Sequence, residues 1–291
     1  AEAEISADYI RQLLAGSQYL KLIKHSNFNP RIIEAFLNKQ LYRRVSPASF
    51  VRQFVDFFEH PNSVWNYAFN NMPILAQYAL FVRMTMGNKA VYLDDWYSAV
   101  KFLVRRTSGE LSLSMTEMSW EETLKLLEGT FILTSKSNTS FISGFHNPSV
   151  FDFLLDKVRS YEDVQGLLIR NALFADQVYN AFSDLPSTDI HRKIQISAGL
   201  YPSVVHAYEY AIGHFRVCSL RELGSALVKD SVSLAGYIVK MQDTFKVLFE
   251  NNPQLVNSIV DQDFLECGKY TLLDRMTLFD RLDKNGRGNL D

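Results

Sequence analysis

The sequence predicts a mainly α-helical fold with a single β-hairpin. Apolar residues recur at spacings of three and four along most of the 291 residues, which is typical of amphipathic helices. Glycine and proline, at 13 and 8 residues, interrupt this pattern rarely, and only one stretch changes to a strand-like period. A hydrophobic content of 47% is sufficient for a sizeable core.

Residues 1–70 are predicted to form a helical lid domain. The helix predicted over residues 5–24 has a soft point at Gly16-Ser17. Asn29-Pro30 starts the next helix, since Asn can cap a helix and Pro suits its first position. A further helix begins at Ser46 and carries phenylalanines on one face, namely Phe50, Phe54 and Phe58.

Residues 71–157 begin with three predicted helices. The first lies between Pro73 and Gly87, where glycine can end it. The second starts at Leu93 with acidic residues near its positive end. A polar loop is predicted over residues 107–118. The third helix follows a capping-box pattern formed by Ser119 and Glu122.

A hairpin follows these helices. The runs Phe131–Lys136 and Ser140–Phe145 favour strands, and Ser137-Asn138 between them favours a turn. His146-Asn147-Pro148 then starts another helix. A hairpin alone is unstable and must pack on helices. Three helices, a hairpin and a helix form a winged-helix order, so we predict a winged-helix domain over residues 71–157.

Residues 158–291 show only helical patterning and are predicted to form an α-helical array that senses or binds a partner. Short spacings between helices indicate antiparallel pairs, without a clear sequence repeat. The predicted helices cover residues 161–175, 176–183, 188–198, 202–216, 219–228, 230–250 and 253–280.

Composition and motifs limit the function. The net charge of −2 does not require a nucleic-acid or anionic-membrane partner. Cys218 and Cys267 form no CxxC pair, which fits a reducing cytoplasm better than a zinc site. No apolar run reaches the roughly 18 residues of a membrane span, and no signal peptide is recognisable. The sequence contains no GxxxxGK[ST], HExxH or GxSxG pattern, so we expect no catalysis by this chain alone.

Asn29-Pro30-Arg31 can be a plain helix start with a solvated arginine. It also resembles the "NPR" element of the lid in STAND and AAA-type ATPases. That resemblance implies that Pro30 lies against a bound nucleotide and that Arg31 senses its phosphates. A guanidinium suits this role because it is permanently charged and forked.

The segment from Phe145 to Leu154, with sequence FHNPSVFDFL, can be a capped helix with a surface histidine. It also resembles the phenylalanine–histidine element that ends the winged-helix domain of STAND proteins. The resemblance implies that His146 contacts the diphosphate of ADP and holds a closed state. It makes Asn29, Pro30, Arg31 and His146 the expected nucleotide-binding residues.

The order of these motifs, together with residues 50–70, resembles the novel-STAND class of bacterial defence and signalling ATPases over residues 19–157. The P-loop and Walker B acids are absent from this sequence. The resemblance therefore implies a regulatory portion that uses ATP or ADP with Mg only within a full-length parent protein. Its expected partners are the nucleotide-binding domain of that protein and a trigger protein on the helical array. A homo-oligomer is expected on activation.

Two other functions stay open at this point. The helical half alone fits a scaffold or adaptor that binds a partner protein. A winged helix can also read DNA, and Lys101, Arg105 and Arg106 end the second helix of the domain, but Asp94 and Asp95 at its start would repel phosphates.

The last residues, Asp283–Asp291, resemble the start of an EF-hand calcium loop. Arg287 occupies a ligand position, and the bidentate Glu is missing. We therefore favour a Gly-rich linker and expect no metal site.

Overall fold

The computed structural model of the chain describes residues 6–25, 28, 33, 36, 46–59, 62–111, 114–137, 140–186, 192–214, 216 and 234–255. Its described residues are mostly helical and include a small three-stranded sheet, so the predicted fold class is confirmed. The chain divides into two compact units. The first unit holds Ala1–Pro73 with His146–Phe153, and the second holds Ile74–Phe145 with Leu154–Asp291. The prediction of three domains at residues 1–70, 71–157 and 158–291 stays a prediction.

The first unit begins with two short helices that share a kink. Helix α1 covers Ala7–Leu14 and α2 covers Tyr19–Ile23, with a 3-10 turn between them. Gly16 has a φ of 58° and Ser17 a φ of 56°, both in the left-handed region. The predicted soft point at Gly16-Ser17 is confirmed, because this conformation cannot continue a helix.

The longer helices of the first unit are α3, Pro47–Glu59, and α4, Asn62–Asn70. Phe50, Phe54 and Phe58 of α3 are buried, as their spacing predicts. Phe36 stacks on Phe54 with ring centroids 4.2 Å apart. The centroid of Phe54 lies 5.7 Å from that of Phe50 and 5.6 Å from that of Phe58. Aromatic contacts of this kind favour a defined packing of α3 against its neighbours.

The second unit begins with the helices and the sheet of the predicted winged helix. The elements are α5, Ile74–Thr85; β1, Val91–Tyr92; α6, Leu93–Leu111; α7, Glu117–Leu127; β2, Ile132–Ser137; and β3, Ser140–Phe145. The antiparallel sheet has the order β1-β3-β2, with Val91 opposite Ser143 and Ser137 opposite Ser140. The predicted hairpin is confirmed. The two residues of β1 are too few to give a periodic signal, and the sequence did not reveal them.

Two predictions before α7 are wrong, namely where α6 ends and which residues cap α7. Helix α6 continues to Leu111, through the first part of the predicted loop, and buried Thr107 donates its hydroxyl to the Leu103 carbonyl at 2.8 Å. The capping box is formed by Thr116 and Ser119 instead of Ser119 and Glu122. Ser119 N donates to Thr116 Oγ1 at 3.1 Å, and Thr116 N donates to Ser119 Oγ at 2.9 Å. A serine at the third helical position can thus replace the usual Glu or Gln.

A buried arginine joins α5 to the sheet. Arg83 is fully buried, and its guanidinium donates to the carbonyls of Gly87 and Lys89, each at 2.8 Å, and of Ser143 at 2.9 Å. The guanidinium carbon also lies 4.6 Å from the ring centroid of Phe145. Arg83 therefore holds the turn after α5 and the end of β3 in fixed positions.

A second buried network joins α5 to a later helix, α10, which covers Ala175–Ala181. Gln177 Nε2 donates to Thr85 Oγ1 at 2.8 Å, and Thr85 donates to the Val82 carbonyl at 2.7 Å. Gln177 Oε1 accepts from the backbone N–H groups of Leu173 and Phe174 at 3.0 and 2.9 Å. The amide is satisfied on both sides, so it can be buried without a large penalty.

The remaining elements are mostly short helices. They are α8, Pro148–Arg159; α9, Glu162–Arg170; α10, Ala175–Ala181; β4, Phe182–Ser183; β5, Ile194–Gln195; α11, Tyr201–His214; α12, Leu234–Thr244; and α13, Lys246–Asn251. The prediction of exclusively helical structure beyond residue 157 is wrong, because β4 and β5 pair in parallel. The helix predicted over 188–198 is wrong where the structure describes it, since β5 lies within this range. The helix predicted over 230–250 is broken at Phe245. The helix over 219–228 and most of 253–280 lie outside the described residues.

Candidate functional site

The helix that begins after His146 has a well-formed start. Asn147 is buried, and its Oδ1 accepts from Ser149 N at 2.9 Å, while its carbonyl accepts from Val150 N at 3.0 Å. Pro148 occupies the first helical position, where its missing N–H has no cost. The predicted helix start is confirmed, and it fixes the backbone directly after His146.

Two aromatic side chains of α4 hold the first turns of α8 within the first unit. Trp65 is fully buried, and its Nε1 donates to Ser149 Oγ at 3.2 Å. Phe69 meets Phe153 edge to face, with ring centroids 5.8 Å apart. Residues 146–153 therefore belong to the same compact unit as the described residues up to Pro73.

The imidazole of His146 is the candidate ligand-binding group in this segment. The side chain is half-buried, and its Nδ1 is buried without a hydrogen bond to any described residue. A buried polar atom without a partner is unusual in proteins, because it loses hydration without compensation. The ring can donate or accept at this nitrogen, depending on its protonation. It can therefore bind an anionic or a polar ligand.

The predicted partners of His146, namely Asn29, Pro30 and Arg31, lie outside the described residues. The chain just before them is described and packs on α3. The ring centroid of Phe28 lies 6.2 Å from that of Phe58, and the centroid of His25 lies 5.4 Å from it. Phe28 N donates to the His25 carbonyl at 2.9 Å. The residue before Asn29 is thus held against the aromatic core of the first unit.

Sequence reasoning missed the residues that position this segment and those that hold the strand before it in the sequence. Trp65 and Ser149 are 84 positions apart, so no local pattern connects them. Arg83 stands within an apolar helix, and Phe145, which its guanidinium covers, is the residue before His146 in the sequence. A charged residue on the apolar face of a predicted helix was the one available signal, because such a residue needs buried partners.

The charges on the helices before the hairpin are mixed. Exposed acidic residues on α7 include Glu117, Glu121 and Glu122, and α6 begins with Asp94 and Asp95. The basic residues near the end of α6 include Arg106, whose Nε donates to Asn171 Oδ1 at 3.1 Å. Carboxylates on these helices repel phosphate groups, which disfavours DNA as a ligand of this surface.

A second group of polar residues lies where β4 meets α12 and α13. Buried Asp184 accepts from Leu248 N at 2.8 Å through its Oδ2, and burial raises the pKa of this carboxyl above its ordinary value. Burial also lowers the pKa of Lys193, and the nearby Lys240 lowers it further. Lys193 Nζ lies 3.4 Å from Thr244 Oγ1. These contacts hold the start of α13, so we assign a structural role to this group.

No cluster of three or more His, Cys, Asp and Glu residues suited to a metal ion occurs in the described ranges. Asp283–Asp291, the segment similar to a calcium loop, lies outside them. Within the described part of the chain, no helix has the length and apolar character needed to cross a membrane. No protein-family model matches the chain, and comparisons with curated proteins and with solved structures find no similar protein.

Proposed function

We propose that this chain is the regulatory part of a STAND-type signal-transducing NTPase. In this proposal, Arg31 and His146 contact one nucleotide that a neighbouring domain of the same cytoplasmic protein binds. The observation that carries the proposal is the buried, unpartnered Nδ1 of His146 at the start of α8. Its segment packs in the same unit as the described residues up to Pro73, and the Asn29-Pro30-Arg31 element follows Phe28 of that unit in the sequence.

The chemistry of the His146 segment fits a phosphate ligand. An imidazole N–H donates to a phosphate oxygen, and the helix that starts at Pro148 adds a partial positive charge at the same end. Arg31 would supply a forked, permanently charged donor. ADP would thereby link the neighbouring domain to both motifs and keep the protein inactive. Exchange for ATP would release the link and permit oligomerisation and signalling, for example in antiviral defence.

The elements of residues 74–145 support a winged-helix domain. The order helix, strand, helix, helix and hairpin, with strand order β1-β3-β2, forms a compact platform that ends directly before His146. Arg83 holds β3 through a hydrogen bond to the Ser143 carbonyl. We infer that the helices after residue 158 bind a trigger protein.

The test measures nucleotide retention in the full-length protein. We expect wild type to purify with bound ADP, and His146→Ala and Arg31→Ala to release it at least about tenfold faster, because each loses a hydrogen bond to a charged group. His214→Ala is the matched control, since His214 is an exposed histidine on α11. Circular dichroism melting would check that each variant folds.

Two results would contradict the proposal. If folded His146→Ala shows unchanged ADP release and unchanged basal signalling, His146 does not hold a closed state through ADP. A coding region without a P-loop upstream of Ala1 would favour the alternative function, a helical scaffold that binds a partner protein without nucleotide.

A further inference from the structure

An open groove lies in the second unit, away from His146 in the sequence. It is bordered by α5, the end of α6, the first turns of α9 and the 3-10 turn Ala198–Leu200. Its volume is about 520 Å³, within the roughly 300–1,000 Å³ of small-ligand sites. Buried Gly166, Leu167 and Leu200 line it and give it an apolar floor.

The floor is closely packed at Gly166. A Cβ atom at this position would lie 3.1 Å from Leu200 Cδ2 and 3.3 Å from Arg170 Nη1. Both contacts are closer than most side chains accept, so the position suits glycine. Arg170 is fixed beside it, because its Nη1 donates to Ser203 Oγ at 3.1 Å.

Carboxylates dominate the rim of the groove. Glu110, Glu162 and Asp163 are exposed and line it, against the single positive charge of Arg170. Glu162 Oε1 accepts a hydrogen bond from Ser197 Oγ, which orients that carboxylate. Within the described ranges, no ion pair involves any of the three acids. The rim therefore has an excess of negative charge that a ligand can neutralise.

An aromatic ring completes the lining. Tyr78 of α5 is half-buried, and burial raises the pKa of its hydroxyl, so the ring stays neutral at physiological pH. The face of a neutral tyrosine ring attracts cations. Carboxylates beside an aromatic ring and an apolar floor are the groups that bind an ammonium or guanidinium on an aliphatic chain.

We propose that this groove binds a free polyamine, because its volume of about 520 Å³ suits a small ligand and its rim carries an excess of negative charge. Glu110, Glu162 and Asp163 would contact the charge, while Leu167 and Leu200 would contact the aliphatic part. The proposal is independent of nucleotide binding, so its failure would leave the role of His146 untouched.

Isothermal titration calorimetry of the chain with two probes tests this site. Spermidine represents a free polyamine, and tetralysine represents a basic protein segment. We expect Glu162→Gln/Asp163→Asn to weaken binding about tenfold or more, since two charged acceptors are lost. Gly166→Ala, which keeps every charge, should also weaken binding by narrowing the floor.

Glu117→Gln/Glu121→Gln is the matched control, because it removes two exposed acids from α7 outside the groove. Its affinity should stay within about twofold of wild type. Spermidine binding supports the proposal, whereas binding of tetralysine alone contradicts it and indicates a basic protein segment as the ligand. No binding of either probe at about 1 mM, or equal weakening by the two double variants, overturns the proposal. The glutamine and asparagine variants decide the test if Gly166→Ala does not fold.

Discussion

The described cores of the two units are stabilised by different kinds of contact. In the first unit, aromatic rings pack on one another around Phe54, whose neighbours lie at centroid distances of 4.2 to 5.7 Å. In the second unit, buried polar side chains bind backbone groups, as Arg83 does with three carbonyls and Gln177 with two N–H groups.

This difference teaches how each unit should respond to substitution. The hydrophobic part of ring packing is non-directional, so another apolar side chain preserves much of its free energy. A buried hydrogen bond is directional, and the loss of one partner leaves the other desolvated and unpaired. We therefore expect the first unit to tolerate apolar exchanges, and the second unit to fail at its polar positions.

The largest expected effect is that of Arg83→Met. The substitution keeps an apolar stem but leaves the carbonyls of Gly87, Lys89 and Ser143 without their donor, so we expect a loss of about 3–5 kcal/mol in the free energy of unfolding. Urea unfolding followed by circular dichroism measures it. Arg105→Met, at an exposed position of the same unit, is the control and should change little. A loss below about 1 kcal/mol would erase the proposed difference between the units.

Phe54→Leu should have a smaller effect. Leucine fills part of the site and stays apolar, but the ring contacts with Phe36 and Phe58 are lost. We expect a loss of about 1–2 kcal/mol. Hydrogen exchange measured by mass spectrometry should locate the faster exchange in α3. An effect as large as that of Arg83→Met would show that the aromatic core is as specific as the polar one.

Thr116→Ala tests a local polar contact in place of a buried one. The change removes the acceptor for Ser119 N at the start of α7 and should cost about 1 kcal/mol. Thr116→Ser keeps the hydroxyl and should restore most of the stability. Thermal melting of both variants measures this contrast, and equal melting temperatures would mean that the cap does not stabilise α7.

The smallest expected effect is a pH dependence at Asp184. Its folded-state pKa is raised by burial, so the protonated form favours folding, and this contribution is lost as the pH rises through the folded-state pKa. Asp184→Asn does not ionise. We expect the stability of the variant relative to wild type to increase as the pH rises above the ordinary aspartate value of 3.8. Urea midpoints across this acidic range provide the measurement, and parallel pH profiles would contradict it.

The difference between apolar packing and specific polar contacts also explains which features the sequence could predict. The spacing of Phe50, Phe54 and Phe58 predicts α3, because a helical period places them on one face. Gly16 predicts the kink after α1 through its backbone freedom. These signals are local, and the structure confirms them.

Features that depend on distant partners were missed. Nothing near Trp65 indicates a hydrogen bond with Ser149, and nothing near Thr107 indicates that a buried back-bond would extend α6. Within the candidate site, the helix start after His146 followed from Asn147 and Pro148. The role of Arg31 stays a prediction, because Asn29-Pro30-Arg31 lies outside the described residues.

Arg83 has a practical consequence for dividing the chain into smaller pieces. Its guanidinium reaches a carbonyl 60 positions later in the sequence. A fragment that ends between Lys89 and Ser143 keeps the two nearby carbonyl acceptors but loses the third, together with the Phe145 ring that covers the guanidinium. The charge would then lie in an incomplete apolar core. Limited proteolysis or truncation between Arg83 and Ser143 should therefore yield insoluble products. A fragment that retains both residues should stay in solution.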